Sequence, residues 1–134
     1  MSSKSNADPL PRGLHPQART GIRLFNAGEY YRAHDHLELA WRDTPGEEGV
    51  LYQGILQVGI AYYHIRRENY RGALKMFRRA RRNLTGLPDE FLEIDVEQLR
   101  ADAGVIENQI KNANSMEKQP HENLNFPGVP LRKI

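Results

Sequence analysis

No cysteine occurs in the 134 residues, which removes disulfides, thiolate metal sites and cysteine nucleophiles together and fits a reducing compartment. A membrane-length hydrophobic run is also missing. The stretch from Val50 to Ile65 carries no charge, but Gln53, Gly54, Gln57, Gly59 and His64 interrupt it, and a bilayer span needs about 20 mainly apolar residues. The opening M-S-S-K-S-N-A-D-P-L-P-R-G has no apolar signal-peptide core, so a cytoplasmic protein without a membrane anchor is expected. Glycine does not occur in the pattern that a phosphate-binding loop requires, and no serine has a positioned base nearby. Nucleotide hydrolysis and serine chemistry are therefore not indicated.

What is present is helical periodicity. Within Val50 to Ile65, apolar residues recur at Leu51, Ile55, Val58, Tyr62 and Ile65, and a second set, Leu56, Ile60 and Tyr63, lies elsewhere round the cylinder. Such a helix must be covered by others. Around it the sequence predicts an all-α compact bundle of about five helices. The first runs from about Pro16 to Ala27, with Gly28 as its left-handed stop. The second, about Glu29 to Arg42, turns Tyr30, Ala33, His34, Leu37 and Trp41 inward. Thr44-Pro45-Gly46-Glu47 reads as a capping box opening the central helix, which ends near Glu68. Asn69 caps a fourth helix over Tyr70 to about Leu84, and a last helix covers about Asp95 to Asn112. One domain is expected: a flexible arm over residues 1–13, a helical domain over 14–111, and an extended or disordered tail over 112–134. In that tail Leu124, Phe126, Val129 and Leu131 are candidates to pin an extended strap to the body.

Tyr30, Ala33, Leu37 and Ala40 are echoed forty positions later by Tyr70, Ala73, Phe77 and Ala80. Two tetratricopeptide-like helix hairpins plus a closing C-terminal helix are implied, the small residues letting neighbours approach closely.

Charge is unevenly placed although nineteen basic and seventeen acidic residues leave only +2. Arg66 to Arg82 holds eight bases and one acid; Asp89 to Glu107 holds seven acids and one base. On the fourth helix Arg71, Lys75, Arg78 and Arg82 form one stripe, which suits RNA or another polyanion. The alternative is that the acidic segment folds back against it, and a basic patch without aromatic interleaving is nonspecific evidence for nucleic acid.

Polar residues at inward-looking positions supply the other candidate site: His34, Glu38 and Trp41 on the second helix, Gln57 and His64 on the third. As a pocket between those helices, with Trp41 and Tyr62 or Tyr63 as an aromatic wall, they suit a small molecule or a peptide segment. As metal ligands, His34, Glu38 and His64 suit a metal-dependent hydrolase. As structure they form a buried network, His34 to Glu38, His64 to a backbone carbonyl and the Trp41 indole to Gln57. The sequence dictates no cofactor, and uncovered apolar sides make a homodimer plausible.

The stretches F-N-A-G-E-Y-Y-R-A-H-D-H-L-E-L-A-W-R at 25–42 and L-Y-Q-G-I-L-Q-V-G-I-A-Y-Y-H-I-R-R-E-N-Y-R-G-A-L at 51–74 resemble domain of unknown function family 309, small helical proteins of bacteria, archaea and plastids. The resemblance implies an all-helical fold and marks His34, Leu37, Glu38, Trp41, Gln57, His64, Asn69 and Gly72 as signature positions. It brings no established activity. The family usually has glutamate after the first histidine, where this chain has Asp35, so Asp35 is left outside the candidate site.

Overall fold

The computed structural model describes residues 10–115 and 125–132, with backbone alone at 114 and 115. Of the arm expected over residues 1–13, residues 1–9 lie outside the described residues, as do 116–124, Leu124 among them, and 133–134. Five helices follow in order: α1 (Pro16–Asn26), α2 (Tyr30–Asp43), α3 (Glu47–Arg66), α4 (Tyr70–Thr85) and α5 (Val96–Ser115). Between α4 and α5 sits a small antiparallel hairpin, β1 (Glu90–Phe91) and β2 (Ile94–Asp95). The fold is all-α, with each helix packed on the next in sequence.

Local chemistry sets the boundaries. His15 accepts a hydrogen bond from the Gln17 amide at 3.0 Å and Pro16 opens α1, the fixed proline φ suiting a first helical position. Gly28, at φ 82°, supplies the left-handed residue that turns α1 into α2. Asn69 caps α4 by accepting from the Gly72 amide at 3.0 Å. The expected capping box at Thr44 does not form. Thr44 is extended, its N–H bonded to the Trp41 carbonyl, and it ends α2. Helix α3 instead starts from Gly46 at φ 79°, without a side-chain cap.

Helix α3 is the centre, with Leu51, Ile55, Val58, Ala61 and Ile65 fully buried. Its neighbours come close where side chains are small: a Cβ on Gly54 would stand 2.5 Å from Leu84, and one on Gly21 2.6 Å from Leu37. Ala33, Ala40, Ala73 and Ala80, the small residues of the repeat, are all buried.

Residues 125–132 lie extended across one side of this body. Phe126 stacks on Tyr62 with centroids 4.8 Å apart; Val129 donates its N–H to Asn26 at 2.8 Å; Leu131 bridges Ile94, adding to the hairpin edge. Leu10 and Leu14 are buried in the same core, and α5 continues through 112–115. Among the described residues no helix is long and apolar enough to cross a membrane.

Candidate functional site

Among the described residues, the five polar residues of the sequence reading make their contacts in different directions. Gln57, 7 % exposed, faces α4 and accepts a hydrogen bond from the Asn83 side chain at 2.8 Å. The expected Trp41–Gln57 bond is therefore replaced by a Gln57–Asn83 amide pair. Trp41 lines a cleft of about 450 Å³ at the α2–α3 turn, with Arg42, Thr44, Pro45, Gly46, Gly49 and Val50 and none of the other four. Glu38 pairs with Arg42 one turn along at 2.8 Å, not with His34. Among the described residues His64 meets no backbone carbonyl; its Nδ1 lies 3.3 Å from the Asn69 amide nitrogen.

That last contact explains three signature positions at once. Asn69 caps α4 with its oxygen and turns its amide nitrogen toward His64, while Gly72, where a Cβ would sit 2.6 Å from the Asn69 amide, leaves the space. His64, Asn69 and Gly72 together shape the α3–α4 turn. Among the described residues no group of three His, Cys, Asp or Glu side chains is placed to hold a metal ion. The ligand set His34, Glu38 and His64 is thus not assembled, because Glu38 is turned to Arg42 and His64 to the turn.

Burial lowers the His64 pKa from its ordinary value. Folding then favours the neutral ring, so the unfolded chain binds more protons as pH falls through about 6.5 and stability must drop on acidification. Protonation at Nδ1 would also remove the acceptor facing Asn69. Between about pH 7.5 and 5.5, His64→Gln is expected to lose less thermal stability than the unaltered chain, as differential scanning fluorimetry would read.

What the structure does bring together is a row of rings across the outer side of α2 and α3. His34 stacks with Tyr31 at 6.4 Å and 16°. Tyr31 lies 5.3 Å from Tyr63, and Tyr63 lies 6.0 Å from His64. The Arg67 guanidinium stands 5.7 Å above the Tyr63 ring, the geometry of a cation–π contact. Tyr31 is 61 % exposed. Sequence reasoning named the two histidines and offered Tyr63 as part of an aromatic wall, but missed Tyr31, which faces solvent and breaks the inward pattern.

The row ends at the turn from which α4 departs. On α4, Arg71, Lys75, Arg78 and Arg82 are exposed and, at 100° per residue, share about 60° of arc opposite Ala73, Phe77, Ala80 and Leu84. The acidic segment does not cover them. The segment packs on α4 through the apolar side of α5, and its ion pair with α4 joins Arg81 to the buried Glu107 at 2.5 Å, while Asp89 takes Arg100 and Glu90 takes Arg132. Arg71, Lys75, Arg78, Arg79 and Arg82 form no ion pair with any described residue.

These features define an all-helical protein of paired hairpins, with a row of rings on α2 and α3 and an exposed cationic arc on α4. The resemblance drawn from the two long stretches is borne out: the model of the family described as "Domain of unknown function (DUF309)" matches residues 18–76, and over that stretch the chain is similar to it. It is also similar to an uncharacterized protein of Aquifex aeolicus (strain VF5), 30% identical over 78 residues. That match takes in 58% of this chain and 23% of the relative, so the chain spans under a quarter of that protein's length.

Proposed function

We propose that the protein is a binding module for a polyanion of the nucleic-acid type, held by the outer face of α4. The observation that carries this is the unneutralised stripe: four cations in line, without an acidic residue anywhere on that helix. Arg71 to Arg82 spans roughly 16 Å of axis at 1.5 Å per residue, enough for several consecutive phosphates. A protein bound mainly for folding stability would gain by pairing these cations, and seven acids follow close by in sequence. They are engaged elsewhere or left exposed.

The test is salt dependence. Four phosphate contacts to a single strand predict log K falling with log salt at a slope of about −2.8, a loss of about fiftyfold between 50 and 200 mM. Arg71→Gln with Arg78→Gln should reduce the slope by about 1.4, and Arg71→Glu with Arg78→Glu should abolish binding. Fluorescence anisotropy of labelled oligonucleotides measures both. Unchanged binding by the charge-reversed protein would remove the stripe from consideration.

A further inference from the structure

We infer that the ligand is single-stranded nucleic acid, with two unpaired bases taken up on the Tyr31–Tyr63 pair while its phosphates follow α4; this rests on the polyanion reading. A stripe of cations recognises charge and does not distinguish a duplex from a single strand. Proteins that hold single strands add aromatic faces on which unpaired bases stack, beside the track that follows the backbone. Both parts are here, supplied by different helices.

The ring row has the chemistry of such a platform. Tyr31 is 61 % exposed, and Tyr63 is half-buried, one side of it packed against the core. His34 backs Tyr31 in a near-parallel stack at 16°, which fixes the tyrosine ring and leaves less rotamer freedom to lose on binding. Arg67 stands against Tyr63 and is the residue on which α3 ends. From there the chain reaches α4 in a turn held by the Asn69–His64 and Asn69–Gly72 contacts. Arg67 and Arg71 are four residues apart, at most about 15 Å of chain. Base platform and phosphate track therefore meet at one tight turn, with no element between them. A scattered exposed tyrosine needs no explanation; rings and a guanidinium in series, ending on a cationic stripe, form a composite surface.

The experiment uses the full chain and four labelled probes: a twelve-residue oligouridylate, the matching oligothymidylate, a duplex of the same length, and base-free polyphosphate. The single strands are expected to bind more tightly than the duplex and the polyphosphate at equal salt. Tyr31→Ala should weaken single-strand binding about tenfold and leave polyphosphate binding unchanged, while Tyr31→Trp, which keeps a stacking face, should restore it. Equal binding of the ribo- and deoxyribo-strand would assign recognition to bases and phosphates; preference for the ribo-strand would add the 2′-hydroxyl, and either supports the platform. Tyr31→Ala binding single strands like the unaltered chain, or losing polyphosphate in equal measure, would overturn it and leave the α4 reading standing. Failure of every probe to bind the unaltered chain would overturn both.

Discussion

Tyr62→Ala is expected to lower the unfolding free energy by about 4 kcal/mol, near the middle of the range for removing a large aromatic from a core. The ring is buried at the point where four elements meet. Phe25 of α1 lies 5.9 Å away, Tyr30 of α2 5.6 Å, Phe77 of α4 6.1 Å, and Phe126 of the extended segment stacks on it at 4.8 Å. No single neighbour can collapse into the gap, because each is also held by others: Arg66 sits over both Tyr30 and Phe126. Desolvation also raises the Tyr62 pKa above its ordinary value, so the phenol stays neutral in any practical buffer. Tyr62→Phe keeps the ring and should recover most of the loss. Urea unfolding followed by Trp41 fluorescence would measure the pair, and a loss below about 1.5 kcal/mol, the usual cost of a volume-conserving swap, would show that this junction is not the keystone of packing.

Gly49→Ala is the second large effect, expected at about 3 kcal/mol, the upper end for overpacking. A Cβ there would stand 2.0 Å from the Thr44 carbonyl oxygen and 3.3 Å from that of Trp41. Both obstacles are backbone, so no side-chain rotation gives relief, and the α2–α3 turn must shift as a unit. Gly104 on α5 supplies the contrast, since a Cβ there meets nothing within 4 Å; Gly104→Ala should stabilise by roughly 0.5 to 1 kcal/mol through helix propensity alone. Both are read from the same denaturation curves. Gly49→Ala as stable as the unaltered chain would mean the turn is plastic, and the Trp41 cleft beside it with it.

Most of the fold was legible because it rests on local signals. The apolar period of α3, the glycine after α1 and the asparagine before α4 each act within a few residues, and each is where the structure needs it. The errors occurred where two local signals competed. Thr44 and Pro45 carry good N-terminal chemistry, yet Thr44 serves as the C-terminal cap of α2, and Gly46, with its positive φ, takes the start of α3. The β1–β2 hairpin escaped notice because Leu92 and Glu93 take positive φ without being glycine, and because its edge is completed from residues far along the chain.

The candidate site was less legible for a related reason. His34, Glu38, Trp41, Gln57 and His64 share helical edges, but an edge gives an angle about one axis, not the partner across it. Gln57 turned to Asn83, twenty-six residues away, and Glu38 to Arg42, four away. The α4 stripe was visible as spacing, while the absence of aromatic residues within it argued against nucleic acid. The rings that answer that objection stand on α2 and α3, and only the folded chain places them at the foot of α4.

Helix α4 carries two independent instructions on one sixteen-residue stretch. Ala73, Phe77, Ala80 and Leu84 set where the helix sits, and Arg71, Lys75, Arg78 and Arg82 on the opposite arc are exposed and form no ion pair with any described residue. Mutation can therefore explore the second set freely while selection for stability holds the first. Among descendants of one ancestral sequence, this scaffold would be inherited intact while the molecules it holds drift from lineage to lineage.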